Sequence, residues 1–546
     1  MRSRRIRPVS WSTSYLFFCP LGISTVTSKR MPFGGSGASW PAGAEYSSVT
    51  NDPLCDVYAT DLTVTPGSQM PNSRRGSVML RAGLLMAVVV LVVVGLVTGV
   101  AQSLGRKGLY ATGLWVDGGA STIDPSIFDH DEQPAGLPPQ PAAPVLEPAT
   151  PQPGTRAARV AERIAAVGPI GGRMMGQVVD EATGEQVYAN NIGQVGTPAS
   201  TLKTLTTVAA LDAYGPDQRF STTVRRDPAD PGKVYLVGGG DPYLLGGEPA
   251  AGRASILTLA RSTAEALQAQ GQSGPVEVVT DNTLFSGPTW NPDWLPGYRD
   301  YAADTSALWI DGARINNQAI GPRDRDPARG AGNAFAAELG RRGVQVTGVN
   351  AGSTPQQAAQ LAQVQGLPLE RIVEQILIYS DNDAAEVLFR HVGRTGGRSG
   401  SITDSQAAMQ QTLTRLGAWT DGMRIVDGSG LARSNLASVT SLTRVVQLAV
   451  SADHPQLRAL ATGMSVAGVE GTLAGRYLED GTQAGRGLVR AKTGTLTRVH
   501  SMAGYVRAGD GALLVYSFII NDDQNEYADR VWLDRVTTAL ASCGCS

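Results

Sequence analysis

At 546 residues the chain is longer than one hydrophobic core supports, since single cores stop growing near roughly 250–300 residues, so it divides into several units. Forty-six basic residues against 48 acidic ones leave a net charge of −2, which gives no electrostatic footprint for a nucleic-acid partner. Four cysteines (Cys19, Cys55, Cys543, Cys545) and four scattered histidines (His130, His391, His454, His500) offer no grouped ligands at metal spacing, so no zinc hydrolase, metal or cofactor is expected.

Residues 1–81 hold nine Lys/Arg against four Asp/Glu and no sustained periodicity. They are expected to be disordered, or to reflect an early start assignment with Met70 or Met79 as the real start. Residues 82–105 carry no charge, and Gly83–Val100 is an 18-residue, almost unbroken apolar run, long enough for a membrane-spanning helix. Arg74, Arg75 and Arg81 precede it, which places the C-terminal body outside the cytoplasm, on a single-pass signal anchor. The alternative is a cleaved signal, with Gly99-Val100-Ala101 as the small-residue cleavage site. From 106 to 155 the chain reads as a linker: nine prolines between Asp124 and Pro153 favour an extended stalk.

The body is expected to combine 156–221 with 356–546 in one domain. The pattern ARVAERIAAVG predicts a helix, Met175–Val179 a strand, and Leu202, Leu205, Val208 and Ala209 a helix after Ser200. Ile372, Val373, Ile376 and Leu377 predict another helix, ending at Ser380. SMAGYVRAGDGALLVYSFII predicts two strands joined at Ala508–Gly511, and Trp532, Val536 and Leu540 a closing helix. Helices first, strands late and a returning helix make the body α+β. Ser200 and Ser380 stand 180 residues apart, too far for a loop, so 222–355 is predicted to be inserted domain material. Its short strand-like pieces (KVYLVGG, PVEVVTD, VQVTGV) make it β-rich. At the C-terminus, Cys543-Gly544-Cys545 fits either a local disulfide or two free thiols.

Only five lysines occur beside 41 arginines, and two of them sit in short motifs. Arg stays protonated near neutral pH, whereas a desolvated Lys can become a base, so a lysine kept in an arginine-using chain marks chemistry. In Ser200-Thr201-Leu202-Lys203 the nucleophile and amine lie one helical turn apart; the bland reading is a helix cap. Ser380-Asp381-Asn382 supplies a hydroxyl that can relay a proton and an amide that can hold a peptide; the bland reading is a turn. In Lys492-Thr493-Gly494-Thr495, glycine permits close approach of a substrate to a strand edge, and the Thr495 N–H can complete an oxyanion hole; a plain strand entry is the alternative. In this order, on helix, loop and strand, the three read together as an active-site serine acyltransferase.

Over roughly 157–546 the chain resembles the penicillin-binding proteins, and more closely the low-molecular-mass class C, or peptidase family S13, D-alanyl-D-alanine carboxypeptidases. Gly238-Gly239-Gly240-Asp241-Pro242, Asp281–Pro288 and Asp427-Gly428-Ser429-Gly430-Leu431 carry the same resemblance, while Ala432 and Tyr243 depart from it. It implies a transpeptidase-type fold related to the serine β-lactamases, an antiparallel sheet flanked by helices with a large insertion. It implies Ser200 as nucleophile, Lys203 as its base and Ser380 as the proton donor to leaving D-alanine. Asn382 would hold the peptide, Lys492, Thr493 and Thr495 the terminal carboxylate, and the Ser200 and Thr495 amides the oxyanion. Substrates would be peptidoglycan stem peptides ending in D-Ala-D-Ala, some family members also cutting cross-links, with β-lactams as covalent inhibitors. Two rivals are a β-lactamase or esterase on the same scaffold and a catalytically silent, membrane-tethered cell-wall binding protein. The first lacks a deacylation base, since Glu386 is expected on a helix surface; the intact motif residues speak against the second.

Overall fold

The computed structural model describes residues 155–545 except Asn317, together with the backbone of 14–19 and 22–27. The expected membrane helix at 82–105 and the expected linker as far as residue 154 lie outside the described residues, among which no helix is long and apolar enough to cross a membrane. Within the segment expected to be disordered, β1 (Ser14–Cys19) and β2 (Gly22–Thr27) form an antiparallel hairpin, Ser14 opposite Thr27 and Cys19 opposite Gly22. Aromatic and β-branched runs on either side of Pro20-Leu21 favour strand over coil there.

The body opens with α1 (Thr155–Ala166), a hairpin of β3 (Arg173–Asp180) and β4 (Gln186–Asn190), and α2 (Leu202–Tyr214). An insertion follows: β5 (Arg219–Arg226), β6 (Lys233–Val237), α3 (Ile256–Ala269), β7 (Val276–Asp281), α4 (Pro327–Arg341), β8 (Val346–Ala351) and β9 (Ala359–Pro368). Helices α5 (Leu369–Tyr379), α6 (Asn382–Val392), α7 (Ile402–Arg415), α8 (Val439–Val450) and α9 (Arg458–Thr462) come next. The chain ends with β10 (Ser465–Val466), β11 (Arg490–Leu496), β12 (Val499–Arg507), β13 (Leu513–Asn521) and α10 (Glu526–Ala541).

The main sheet has strand order β10-β11-β12-β13-β3-β4, every pair antiparallel, so the expected α+β layout holds. Strand β13 shows why helices cover both faces. Its successive residues point to opposite sides and nearly all are apolar. Leu514, Tyr516, Phe518 and Ile520 pack with Val160 and Ile164 of α1 and Trp532, Val536 and Leu540 of α10. Val515 and Ile519 pack instead with Leu205 and Val208 of α2 and Val445 and Val446 of α8. Cys543 and Cys545 are paired and buried in the first of these cores.

The insertion is built on a five-stranded sheet, in keeping with the β-rich expectation, with two helices packed on it. Its sheet, in order β8-β7-β6-β5-β9, is mixed: β6–β7 and β7–β8 are parallel, β5–β6 and β5–β9 antiparallel. Parallel neighbours need crossover connections, and α3 and α4 lie in them. Ile256, Leu259 and Leu267 of α3 and Phe335 and Leu339 of α4 share a core with Val224, Val234, Leu236 and Val278 of the sheet. The sheet also runs past the expected limits of 222 and 355, because β5 and β9 pair as far as Arg219 opposite Pro368. Phe335 is fully buried there. Phe335→Ala is therefore expected to lower unfolding free energy by roughly 3–5 kcal/mol in denaturant titrations. A change under about 1 kcal/mol would mean that α4 does not cover this sheet.

Candidate active site

The turn before α2 presents Ser200. Pro198 and Ala199 lead into a single 3-10 turn, Ala199–Thr201, with Ala199 at φ 48°, a left-handed conformation that is unusual for a residue with a Cβ. Three contacts hold it. The Pro198 carbonyl accepts from Thr201 Oγ1 at 2.7 Å and Ser501 Oγ at 2.5 Å, and Gly430 lies so close that a Cβ there would sit 2.0 Å from the Ala199 oxygen. Gly494 of β11 presses on the same turn: its missing Cβ would lie 2.2 Å from Ser501 Oγ and 3.0 Å from the Ser200 nitrogen. The sequence predicts glycine there for substrate approach; contact with the Ser200 turn is what the fold requires of it.

One turn along α2, the Lys203 side chain is completely buried. Its Nζ donates to Ser200 Oγ at 3.0 Å, Asn382 Oδ1 at 2.7 Å and the Ser429 carbonyl at 2.7 Å, which uses all three ammonium donors. Burial drives its pKa down to about 8, against the raising influence of Asp427, Glu386, Asp381 and Asp383. Lys492, on β11, is equally buried and donates to Ser380 Oγ at 2.9 Å and the Thr493 carbonyl at 2.7 Å. Burial, and then the nearby Lys203, push its pKa well below the ordinary lysine range.

The middle motif is both the turn and the site. Ser380 closes α5 in a left-handed conformation (φ 58°), and Asp381 caps α6 by accepting from the Ala384 N–H at 3.1 Å. That tight reversal sets Ser380 on Lys492 and Asn382 on Lys203. The segment before α4 clamps it from outside. Asn382 Nδ2 donates to the Tyr301 carbonyl at 3.0 Å, and the Ala303 N–H to Asp383 at 2.7 Å. Arg314 bridges Asp381 and Asp383, each at 3.1 Å, and Arg323 reaches Asp383 at 3.3 Å. On β11, Thr493 Oγ1 donates to Thr472 Oγ1 at 2.8 Å, and Thr495, opposite His500, leaves its side chain exposed at the strand's open end.

All eight predicted site residues thus gather on three converging elements. Several partners escape prediction. Asp427 is fully buried and accepts from Trp294 Nε1, the Gly430 and Ala432 N–H groups and Asn435 Nδ2, all within 2.7–2.8 Å. Glu386 corrects the expectation of a surface residue: it is buried, and its Oε1 accepts from the Gly428 and Ser429 N–H groups at 3.0 and 2.8 Å. The signal was its spacing, since a residue four after Asn382 shares that residue's helix face.

This arrangement pairs a hydroxyl nucleophile with a desolvated amine, and a second hydroxyl with a second amine, beside an open strand end. It suits acyl transfer through a serine ester.

Comparison with known proteins agrees. The D-Ala-D-Ala carboxypeptidase 3 (S13) family profile matches residues 156–322 and 299–540. The carboxypeptidase DacB of Mycolicibacterium smegmatis is 33% identical over 436 residues, 76% of this chain and 92% of that protein. The D-alanyl-D-alanine carboxypeptidase of Actinomadura sp. (strain R39) is 29% identical over 449 residues, 67% of this chain and 80% of that one. The crystal structure of penicillin binding protein 4 (dacB) from Haemophilus influenzae shares the fold, with a TM-score of 0.57 at 21% identity, covering 69% of this chain and 97% of that one. The chain belongs to the D-Ala-D-Ala carboxypeptidase 3 (S13) family, as a serine carboxypeptidase with the penicillin-binding fold.

Proposed function

We propose that this carboxypeptidase trims peptidoglycan stem peptides ending in D-Ala-D-Ala through an acyl-enzyme on Ser200. The observation that carries the reading is the buried Lys203 amine, 3.0 Å from Ser200 Oγ and with a pKa near 8. In its neutral form the amine takes the Ser200 proton as the hydroxyl attacks the penultimate D-alanine carbonyl. The Ser200 and Thr495 N–H groups hold the oxyanion, and Ser380 passes a proton to the departing D-alanine nitrogen. Water then attacks the ester and releases the shortened peptide. Lys492 faces the terminal carboxylate with Thr493 and Thr495. Burial and then Lys203 hold its pKa low, and a bound carboxylate would raise it. Asn382 holds the peptide while orienting Lys203. β-Lactams acylate the same serine, as their amide occupies the place of the scissile bond.

We further propose that the apolar run Gly83–Val100 anchors the enzyme, with residues 106–155 as the stalk to a catalytic domain outside the cytoplasm; its support is the sequence alone. Alkaline extraction of membranes tests it. The full chain is expected in the pellet and a chain lacking 1–105 in the supernatant; release of both would refute the anchor.

Fluorescent penicillin is expected to label the parent and leave Ser200→Ala unlabelled; a label that survives removes Ser200 as nucleophile. Lys203→Arg is expected to slow acylation by roughly 10²–10⁴-fold, because a guanidinium stays protonated. The pH dependence has a fixed sign. A base of pKa about 8 is mostly protonated below that value, so acylation is expected to rise through pH 8 and to fall about tenfold per unit below it. A flat profile between pH 6 and 9 would transfer the base role to another group. Rapid turnover of penicillin, rather than a persistent adduct, would favour the β-lactamase alternative.

A further inference from the structure

Two of the three acceptors around the Lys203 amine are side chains; the third is a loop carbonyl, that of Ser429. A carbonyl in a glycine-flanked loop aims at one point only if the peptide planes around it are fixed. Here they are. The Gly428 and Ser429 N–H groups converge on a single oxygen of Glu386, while the Gly428 carbonyl accepts from Thr206 Oγ1 at 2.7 Å. Asp427 fixes the other end of the loop through the Gly430 and Ala432 N–H groups. Gly428 must be glycine, because a Cβ there would lie 2.5 Å from the Phe389 Cβ and 2.6 Å from the Ala385 carbonyl. Helix α6 thus supplies one acceptor directly, through Asn382, and holds the loop that supplies another, through Glu386 one turn on.

We propose that Glu386 is a positioning residue for the lysine base: its carboxyl oxygen grips two successive amides so that the Ser429 carbonyl, with Asn382, holds the Lys203 amine against the Ser200 hydroxyl. This rests on the reading of Ser200 and Lys203 given above. The task needs an acceptor oxygen rather than a charge. Burial, and then the Asp427 carboxylate, raise the Glu386 carboxyl to about 8, so near neutral pH it is largely the uncharged acid. Asp427, Arg390 and Lys203 are the other charged groups that act on it, and Lys203 itself feels Asp427, Glu386, Asp381, Asp383 and Lys492.

Single-turnover acylation of the full chain by fluorescent penicillin separates the non-covalent dissociation constant from the acylation rate constant. Glu386→Gln keeps the acceptor oxygen and its reach, and is expected to retain at least a third of the parental rate constant. Glu386→Asp keeps the acid but shortens the reach by a methylene, and is expected to slow at least tenfold. Both dissociation constants are expected within about twofold of the parent. The opposite order would show that charge is what matters; equal rates, or a loss confined to the dissociation constant, would equally overturn the proposal. If the Asp variant does not fold, Gln alone decides, and a rate below a third of the parent overturns it. Ser200→Ala run alongside separates the two levels: a label surviving there removes the reading beneath, whereas a lost label with the wrong Gln/Asp order removes Glu386 alone.

Discussion

A fully desolvated amine, that of Lys203, is the constraint around which this protein is arranged. Burying an ammonium without partners is costly, so each of its three donors needs an acceptor, and the fold supplies them from three places far apart in sequence. The acceptors do not cancel the cost. A pKa lowered from the ordinary lysine value of 10.5 to about 8 corresponds to roughly 3 kcal/mol set against the folded state. The sign follows from linkage. Below about pH 8 both folded and unfolded chains carry the proton and the full penalty stands; it shrinks as pH rises from there and vanishes above the unfolded value. The acidic groups around it, Asp427 foremost, keep the penalty from growing.

The surrounding architecture serves that amine. Strand β13 divides two apolar cores, so the sheet is fixed on both faces and β11 lies on a rigid support. The Ser200 turn is then wedged between β11 and the 427–431 loop, with glycine at each point of contact (Gly494 and Gly430) because no side chain fits. Those contacts hold Ala199 in its left-handed conformation, a local strain of the kind that concentrates at functional sites.

What the sequence reveals depends on how local the physics is. Helix α5 begins and ends where the LERIVEQILIY pattern places it, and the strands flanking Ala508–Gly511 appear as read, because both are set by periodicity and turn chemistry. The Ser200–Lys203 pair is legible because Ser-x-x-Lys fixes two side chains on one helix face regardless of the rest of the fold. The strands of the insertion announce themselves in short apolar bursts, whereas α3 and α4, alanine-rich and only moderately amphipathic, do not. The contacts of Glu386 and Asp427 are hidden for a different reason. An acid in a helix or a loop is ordinarily solvated, and nothing in a one-dimensional reading shows that 386 and 428–429 meet.

The antiparallel contact of Arg219 with Pro368 has a bearing on the history of the molecule. Because the excursion leaves and re-enters the catalytic domain at neighbouring points, the host experiences nearly 150 residues as little more than a tight hairpin, and the entropy of closing so large a ring falls on the guest. A module joined this way is easy to acquire and, in principle, easy to exchange. Its tether to the Asp381–Asp383 carboxylates through Arg314 and Arg323 withdraws that freedom. A guest that grips the machinery of its host can no longer be swapped without retuning the catalyst.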